Sequence, residues 1–305
     1  MDALCFLVFN SRRIDVLHLE HLQKNLNLIA GWLYKFLNPR GFLYIKLDAS
    51  PHIMDNIIGS RPALKSRIKR WLLNYLMQHT INAISVESIQ NFRLLKKRLE
   101  NVAFKILHIP NGIDLHPEVA LSKSQKWILT AGRLGPEQKA TDVLLEAFRL
   151  MPANDWYLIL AGPVEEAFQS HIDRYFEQNP HLKTRVKFLG NITSRSQLFE
   201  IYAQASIFCF PSRWEGFSHA LMEAAYFANY IISTDIGGAE DILSATSYGK
   251  IAPKDDPRAL SAILEQTIAN WGNIHRDPLE IQKIVANHFS WEKVCRPLYE
   301  TISTH

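Results

Sequence analysis

Two carboxylates, Glu215 and Glu223, stand as Glu-x7-Glu in the stretch PSRWEGFSHALMEAAYF (211–227). The stretch follows the apolar run SIFCF and turns into an amphipathic segment, which reads as strand, loop and helix N-terminus. Free backbone N–H groups point out of the first turn of such a helix and, with its dipole, favour an anion. Gly216 lets the backbone approach a ligand closely. Glu215 falls in the loop and Glu223 about one turn inside the helix, so the pair can flank one ligand at different heights. A carboxylate is also a natural acceptor for paired sugar hydroxyls. The spacing alone says little. Its combination with Pro-Ser and Glu-Gly-Phe after a strand carries the reading.

A second stretch, TAGRLGPEQKATDVLLEAF (130–148), has the same build. Arg133 and Lys139 are the cations of its glycine-containing loop. Loop cations are commonly just solvated. Their place after the first strand of a domain, facing a linker, would let them neutralise a diphosphate.

Both loops require a sheet to hold them. Apolar runs at 127–132, 156–162, 186–190, 206–210, 230–234 and 249–252 alternate with amphipathic segments at 140–151, 165–178, 195–205, 219–228, 238–244 and 257–272. Near-continuous apolar strands separated by helices predict a doubly wound parallel sheet, an α/β fold. The first half has the same rhythm with fewer units: strands at 15–19, 42–48, 82–87 and 104–109, helices at 22–37, 62–78 and 88–100. Ser60 and Pro62 suit a helix start, and residues 2–12 read as a helix that Arg12 and Arg13 would close. In IPNGIDLHPE (109–118), Pro110, Asn111-Gly112 and Pro117 break regular structure. The expected division is 1–110, a linker at 111–118, a domain at 119–280, and C-terminal helices at 281–305 that pack back toward the first domain. Ser290 is the expected N-cap of the last helix.

Composition narrows the classes. The chain has 305 residues, 47% hydrophobic and 21% charged, which excludes a mostly disordered chain. Its three cysteines, Cys5, Cys209 and Cys295, are scattered, form no metal-ligand cluster and read as reduced thiols. No apolar run approaches ~18 residues, and the opening MDALCFLVFN lacks a basic leader, so the expectation is a cytoplasmic protein. Residues 1–118 hold 16 Lys+Arg and 9 Asp+Glu, a net of +7, whereas residues 119–305 hold 18 and 21, a net of −3. Within 61–100 lie Arg61, Lys65, Arg67, Lys69, Arg70, Arg93, Lys96, Lys97 and Arg98 against Glu87 and Glu100. This stretch reads either as ordinary amphipathic helix or as a surface for an anionic membrane face, which would place the protein peripherally on the inner side of the cell membrane. No nucleic-acid motif accompanies the charge.

The second half resembles the donor-binding domain of a retaining GT-B glycosyltransferase of family 4 (glycosyl transferases group 1). The resemblance rests on PNGID, GRL with a lysine six residues after the arginine, LILAGP, VKFLGNI, PSRWEGFSHALMEAA, STDIGGAEDIL and FSWEKV, and it covers roughly residues 104–300. IDVLHLEH, NPRGFLYIKLD and ISVES resemble part of the family's acceptor domain. The resemblance implies two Rossmann-like domains with parallel sheets facing a cleft, the N-terminal one incomplete. It implies transfer of a sugar from a nucleotide diphosphate sugar to a glycan or lipid-linked acceptor with retention, in bacterial surface polysaccharide biosynthesis, without metal or other cofactor.

Residue by residue, the resemblance assigns Arg133, Lys139, Gly216, Phe217 and Ser218 to the diphosphate and Glu223 to the ribose. It assigns Glu215 to the donor sugar and Gly190, Asn191 and Ile192 to the base. The family's active-site histidine falls near Asp15-Val16-Leu17-His18-Leu19-Glu20-His21, with His21 the choice and His18 the reserve. The family's Lys-Gly reads Lys139-Ala140 here. The family's acceptor domain also opens with further βα units and a glycine-rich loop. Three readings therefore stand: a truncated enzyme, a split enzyme needing a partner chain, or a member with a reduced acceptor side. The rival function is a non-catalytic nucleotide-sugar-binding subunit that needs a partner or self-associates.

Overall fold

The computed structural model describes residues 3–20, 25–48, 78–99, 102–116, 119–123, 125–152 and 154–305. The expected helix at 62–78 lies almost wholly outside them, and Ser60, Pro117 and His21 lie outside them altogether. The chain forms two compact units, Met1–Asn111 with Val294–His305, and Gly112–Lys293.

The first unit carries a four-stranded parallel sheet in sequence order: β1 (Val16–Glu20), β2 (Phe42–Leu47), β3 (Ala83–Val86) and β4 (Lys105–His108). One face is covered by α2 (Asn25–Leu37) and α3 (Ile89–Arg98), through Tyr34 and Leu95 against Leu43, Ile45, Leu47, Ile84 and Val86. The helix at the chain start is α1 (Ala3–Asn10), continued by a short 3-10 turn over Ser11–Arg13.

The second unit holds a six-stranded parallel sheet. Its strands are β5 (Gln125–Ala131), β6 (Tyr157–Ala161), β7 (Val186–Gly190), β8 (Ala205–Phe210), β9 (Tyr230–Thr234) and β10 (Gly249–Ala252), in the order β10-β9-β8-β5-β6-β7. Ile128, Leu129, Leu158, Leu160, Ile207, Phe208, Ile231 and Ile232 are buried on consecutive positions, as a sheet covered on both faces requires. The connecting helices are α4 (Thr141–Leu150), α5 (Glu166–Gln178), α6 (Arg195–Gln204), α7 (His219–Tyr226), α8 (Ala239–Thr246) and α9 (Pro257–Ala269). Short α10 (Trp271–Ile274) follows, then α11 (Pro278–Phe289) and α12 (Trp291–Ser303).

The C-terminal helices divide differently from the expected 281–305. Helix α11 packs on α7 and α8 and stays with the second unit, because Ile281, Val285 and Phe289 are buried there. From Val294 onward α12 belongs to the first unit, where Leu298 and Ile302 cover Phe42, Tyr44 and Ala83 on the second face of the sheet. Ser290 closes α11 as its C-cap, and Ile113 pairs with it as an isolated bridge. The segment from Gly112 is thereby tied into the second unit rather than running free as a linker.

Glycines continue the second sheet beyond its strand ends. The Gly132 amide donates to the Ala161 carbonyl at 2.9 Å, and the Gly162 amide donates to the Gly190 carbonyl at 2.9 Å. A Cβ on Gly162 (φ +143°) would stand 1.9 Å from the Gly132 carbonyl oxygen. Gly162→Ala should therefore destabilise the chain by more than about 2 kcal/mol, since backbone strain adds to the clash, as denaturant unfolding would measure.

Candidate active site

Strand order in the second unit reverses between β5 and β8. The loops after these two strands leave on opposite sides of the reversal and enclose the crevice where doubly wound sheets hold ligands. Here they meet. The Lys139 ammonium lies 2.7 Å from Oε1 of Glu215, the two side chains being 18% and 11% exposed, and it also sits 4.9 Å from the centroid of the Phe210 ring. Arg133, Lys139, Gly132, Thr141 and Phe210 line one small pocket at the end of β5. Arg133 itself is exposed, with Glu165 at 3.6 Å.

Arg213 fastens the two loops together. Its amide donates to the Gln138 carbonyl at 2.8 Å, and its guanidinium donates to Asp255, to Asp142 and to the Glu137 carbonyl. Gln138 Nε2 returns a bond to the Trp214 carbonyl at 3.0 Å. Burial works against the charge of Arg213, but its two carboxylate partners outweigh that and raise its pKa.

Ala140 is left-handed (φ 49°, ψ 41°) and fully buried where the 3-10 turn Glu137–Lys139 enters α4. That conformation is the physical reason a glycine suits the position. Alanine costs about 1 kcal/mol there and still lets Lys139 point as it does.

Ser218 is the N-cap of α7, its hydroxyl accepting from the Leu221 amide. Glu223, one turn on, is buried, and its Oε1 is 2.5 Å from a guanidinium nitrogen of Arg195. The hydroxyl of fully buried Tyr202 faces Glu223 without hydrogen-bond geometry, and burial, reinforced by the carboxylate, pushes the phenol well up. The loop after β9 props the site from below. A Cβ on Gly237 would stand 1.5 Å from the Gly216 carbonyl oxygen, and left-handed Gly238 lies against the Phe217 ring. Gly216 thus meets another backbone as closely as it was expected to meet a ligand. Gly190 ends β7 with φ +71°, Asn191 is exposed and Ile192 half-buried. Arg195 opens α6 just beyond them.

In the first unit, His18 lies on β1 stacked against Tyr44, ring centroids 4.8 Å apart. Burial of that face lowers its pKa, with Glu20 opposing and Lys46 assisting. The Tyr44 hydroxyl hydrogen-bonds Ser85 at 2.6 Å. Lys46 donates to Asn111 Oδ1 at 3.2 Å and pairs with buried Glu87 at 2.8 Å. Burial pushes Glu87 up to about 7, and the neighbouring Asp48 adds to this against the pull of Lys46. Lys46 stays charged, its pKa raised by Glu87 in spite of burial.

The expected residues therefore divide. Lys139 is brought to Glu215, and Arg133 joins Lys139 in one pocket. Gly216, Phe217 and Ser218 form the turn into the helix of Glu223. Arg195, Arg213, Gly237 and the Lys46–Glu87 pair were not singled out from the sequence as site residues. Arg213 and Gly237 stand inside motifs already quoted, and Arg195 follows the base-side loop directly. No spacing rule marks their partners.

The family model of glycosyl transferases group 1 matches residues 113–282, more than half of the chain. The chain belongs to this family. An uncharacterised glycosyltransferase of Methanocaldococcus jannaschii is 25% identical over 259 residues, which covers 83% of this chain and 69% of that protein. The lipopolysaccharide core biosynthesis mannosyltransferase LpsB of Rhizobium meliloti is 28% identical over 178 residues. That match spans 50% of this chain and 49% of LpsB, about half of each. Among solved structures, HepE of Anabaena in complex with UDP superposes with a TM-score of 0.73 at 19% identity, covering 99% of this chain and 82% of HepE. The lipopolysaccharide outer core galactosyltransferase WaaB, in its apo form, gives 0.75 at 15%, covering 99% and 79%. These solved structures share with the chain an α/β, GT-B fold of two Rossmann-like domains with parallel sheets.

Two measurements test the geometry. Gly237→Ala would set a Cβ against the Gly216 carbonyl, and denaturant unfolding should show a loss of more than about 2 kcal/mol. Glu87 holds its proton more tightly in the folded chain than in the unfolded one. Its contribution to stability is complete below the ordinary carboxylate value and is lost as pH rises through about 7. The stability lost between pH 6 and pH 8 should therefore shrink by about 1 kcal/mol in Glu87→Gln, read from denaturant unfolding at each pH.

Proposed function

We propose that the chain moves a sugar from a nucleoside diphosphate sugar to a glycan or lipid-linked acceptor, with retention of configuration, in bacterial surface polysaccharide assembly. The observation that carries the reading is the Lys139–Glu215 pair at the β5/β8 reversal, beside the N-terminus of α7. A bound diphosphate would draw Lys139 and Arg133 to itself and release Glu215 to the hydroxyls of the donor sugar. The α7 N-terminus, with the Phe217 and Ser218 amides, would take the remaining negative charge as the leaving group departs. Glu223 would accept from the ribose, exchanging its bond to exposed Arg195 for two hydroxyls. The base would lie along Gly190, Asn191 and Ile192.

Fixed cations and a helix terminus stabilise the leaving diphosphate in this scheme, so no metal is assigned a role. Among the described residues no three His, Cys, Asp or Glu side chains gather to hold one. His18 remains as the described candidate for the acceptor side, and His21 lies outside the described residues.

The relatives' part in lipopolysaccharide and colanic acid biosynthesis, by their names, supports a surface glycan as product. A lipid-linked acceptor would hold the chain at the inner face of the membrane. Of the basic stretch 61–100, Arg93, Lys96, Lys97 and Arg98 are described, on α3. Among the described residues no helix is long and apolar enough to cross a membrane.

A second reading, a nucleotide-sugar-binding subunit that needs a partner chain, is favoured by one feature. β1 ends its sheet among the described residues with each of its positions at least partly exposed, an edge open to a further strand.

Calorimetry with UDP and GDP, with and without EDTA, and transfer assayed with nucleotide sugars test the proposal together. Binding should persist in EDTA. Glu223→Ala should weaken it about tenfold to a hundredfold, and Glu215→Ala should lower turnover by a similar factor while nucleotide binding stays within about threefold. Normal UDP and GDP binding by Glu223→Ala overturns the ribose assignment. Binding without transfer, restored by an added chain, selects the second reading. An inverted anomeric product by NMR overturns retention.

A further inference from the structure

Helix α1 is ALCFLVFN, apolar on every side and without a charge, yet of its residues only Leu7 is buried. A helix that is apolar all round belongs in a core or in lipid. Phe9 is 80% exposed, with Phe6 and Val8 beside it. Helix α2 packs against α1 and adds Ile29, Trp32 and Phe36, spaced i, i+3, i+7 on one face, with Trp32 stacked on Phe36 at 5.4 Å. Six of the fourteen exposed large hydrophobic side chains among the described residues lie on these two helices. The only charge within α2, Lys35, turns away to the Pro39 and Gly41 carbonyls and Asn82.

The two helices end side by side. Asn38, just past α2, donates to the carbonyls of Ser11 and Ile14, just past α1, at 3.0 Å each. Arg12 and Arg13 follow α1, Arg40 follows α2, and all three are exposed. Asp15 is the acid in this turn. An uncharged aromatic face is thus bounded at one end by three arginines.

We propose that the α1–α2 face docks on an anionic lipid bilayer, with the aromatic side chains among the upper acyl chains and Arg12, Arg13 and Arg40 at the phosphates. The charge selects lipid over a second copy of the chain, because exposed Arg12, Arg13 and Arg40 outnumber Asp15 at this rim and two such rims repel. This surface is distinct from α3, and its docking does not depend on the chemistry assigned to the second unit.

Co-sedimentation of the full chain with vesicles tests it. Vesicles of equal parts phosphatidylcholine and phosphatidylglycerol should pull the chain down, and pure phosphatidylcholine should not. The double variant Phe9→Asp, Phe36→Asp should reduce binding more than about tenfold, because each buried phenylalanine is worth at least that factor. Arg12→Glu, Arg13→Glu should reduce it at least about fivefold and flatten its salt dependence. This second variant leaves the apolar packing intact and decides the matter if the first fails to fold. UDP binding and the melting curve should be unchanged in both. Undiminished binding by both variants, or loss only on Lys96→Glu, Lys97→Glu in α3, overturns the proposal. So does a dimer in gel filtration that Phe9→Asp converts to monomer.

Discussion

The parallel pairing of β5 with β8 sets Ile128 beside Ile207 and Leu129 beside Phe208, and the loops that follow these strands have to meet. Everything at the candidate site depends on that adjacency. One loop brings Arg133 and Lys139, the other brings Glu215, Gly216 and the N-terminus of α7. They are more than seventy residues apart in sequence, and only the sheet order makes them neighbours. Arg213 then locks the two loops through backbone and carboxylate bonds, so that the pocket lining is fixed before any ligand arrives. Prearranged charge of this kind would need little reorganisation under the proposed function, in which a diphosphate departs.

The charges at the site are matched at rest. Lys139 is held by Glu215, Glu223 by Arg195, and Arg133 lies near Glu165. A half-buried ion pair gains little net stability, because the cost of desolvation offsets most of the attraction. Such pairs are therefore readily exchanged for a ligand of the right charge. In the proposed function, a diphosphate would offer Lys139 a stronger anion than a single carboxylate, and a ribose would offer Glu223 neutral donors that suit a buried acceptor. The cation–π contact with Phe210 is a second hold on the Lys139 ammonium besides Glu215.

The first unit is organised differently. Among the described residues its four strands run in sequence order, without the reversal that makes a crevice in the second unit. Instead Lys46 pairs with buried Glu87 near the strand ends, where burial pushes the carboxyl up to about 7 against the pull of Lys46. The tail of the chain completes this unit by laying α12 across the sheet. The apolar side chains Phe6, Phe9, Trp32 and Phe36 of α1 and α2 are exposed. The second unit buries β8 and β9 along their whole length.

The sequence by itself determined the βα alternation, because a strand buried on both faces must be apolar at consecutive positions and a covering helix must be apolar on one stripe. Runs such as LILA and IFCF, followed by Gly162 and Pro211, place the strands to within a residue or two. The same patterns placed Arg133, Lys139, Glu215 and Glu223 on loops and a helix start at strand ends. The sequence did not determine which cation would face which carboxylate. Pairing of Lys139 with Glu215 and of Arg195 with Glu223 follows from strand order, which local periodicity does not encode. The left-handed turn at Ala140 was likewise hidden, since alanine gives no sign of it. Gly237 and Gly162 read as ordinary loop glycines until the carbonyls of Gly216 and Gly132 are placed against them. The division of the C-terminal helices between the units was also decided by packing. Helix α11 and the end of α12 are both amphipathic, and only the surfaces available to their apolar stripes send one to the second unit and the other to the first.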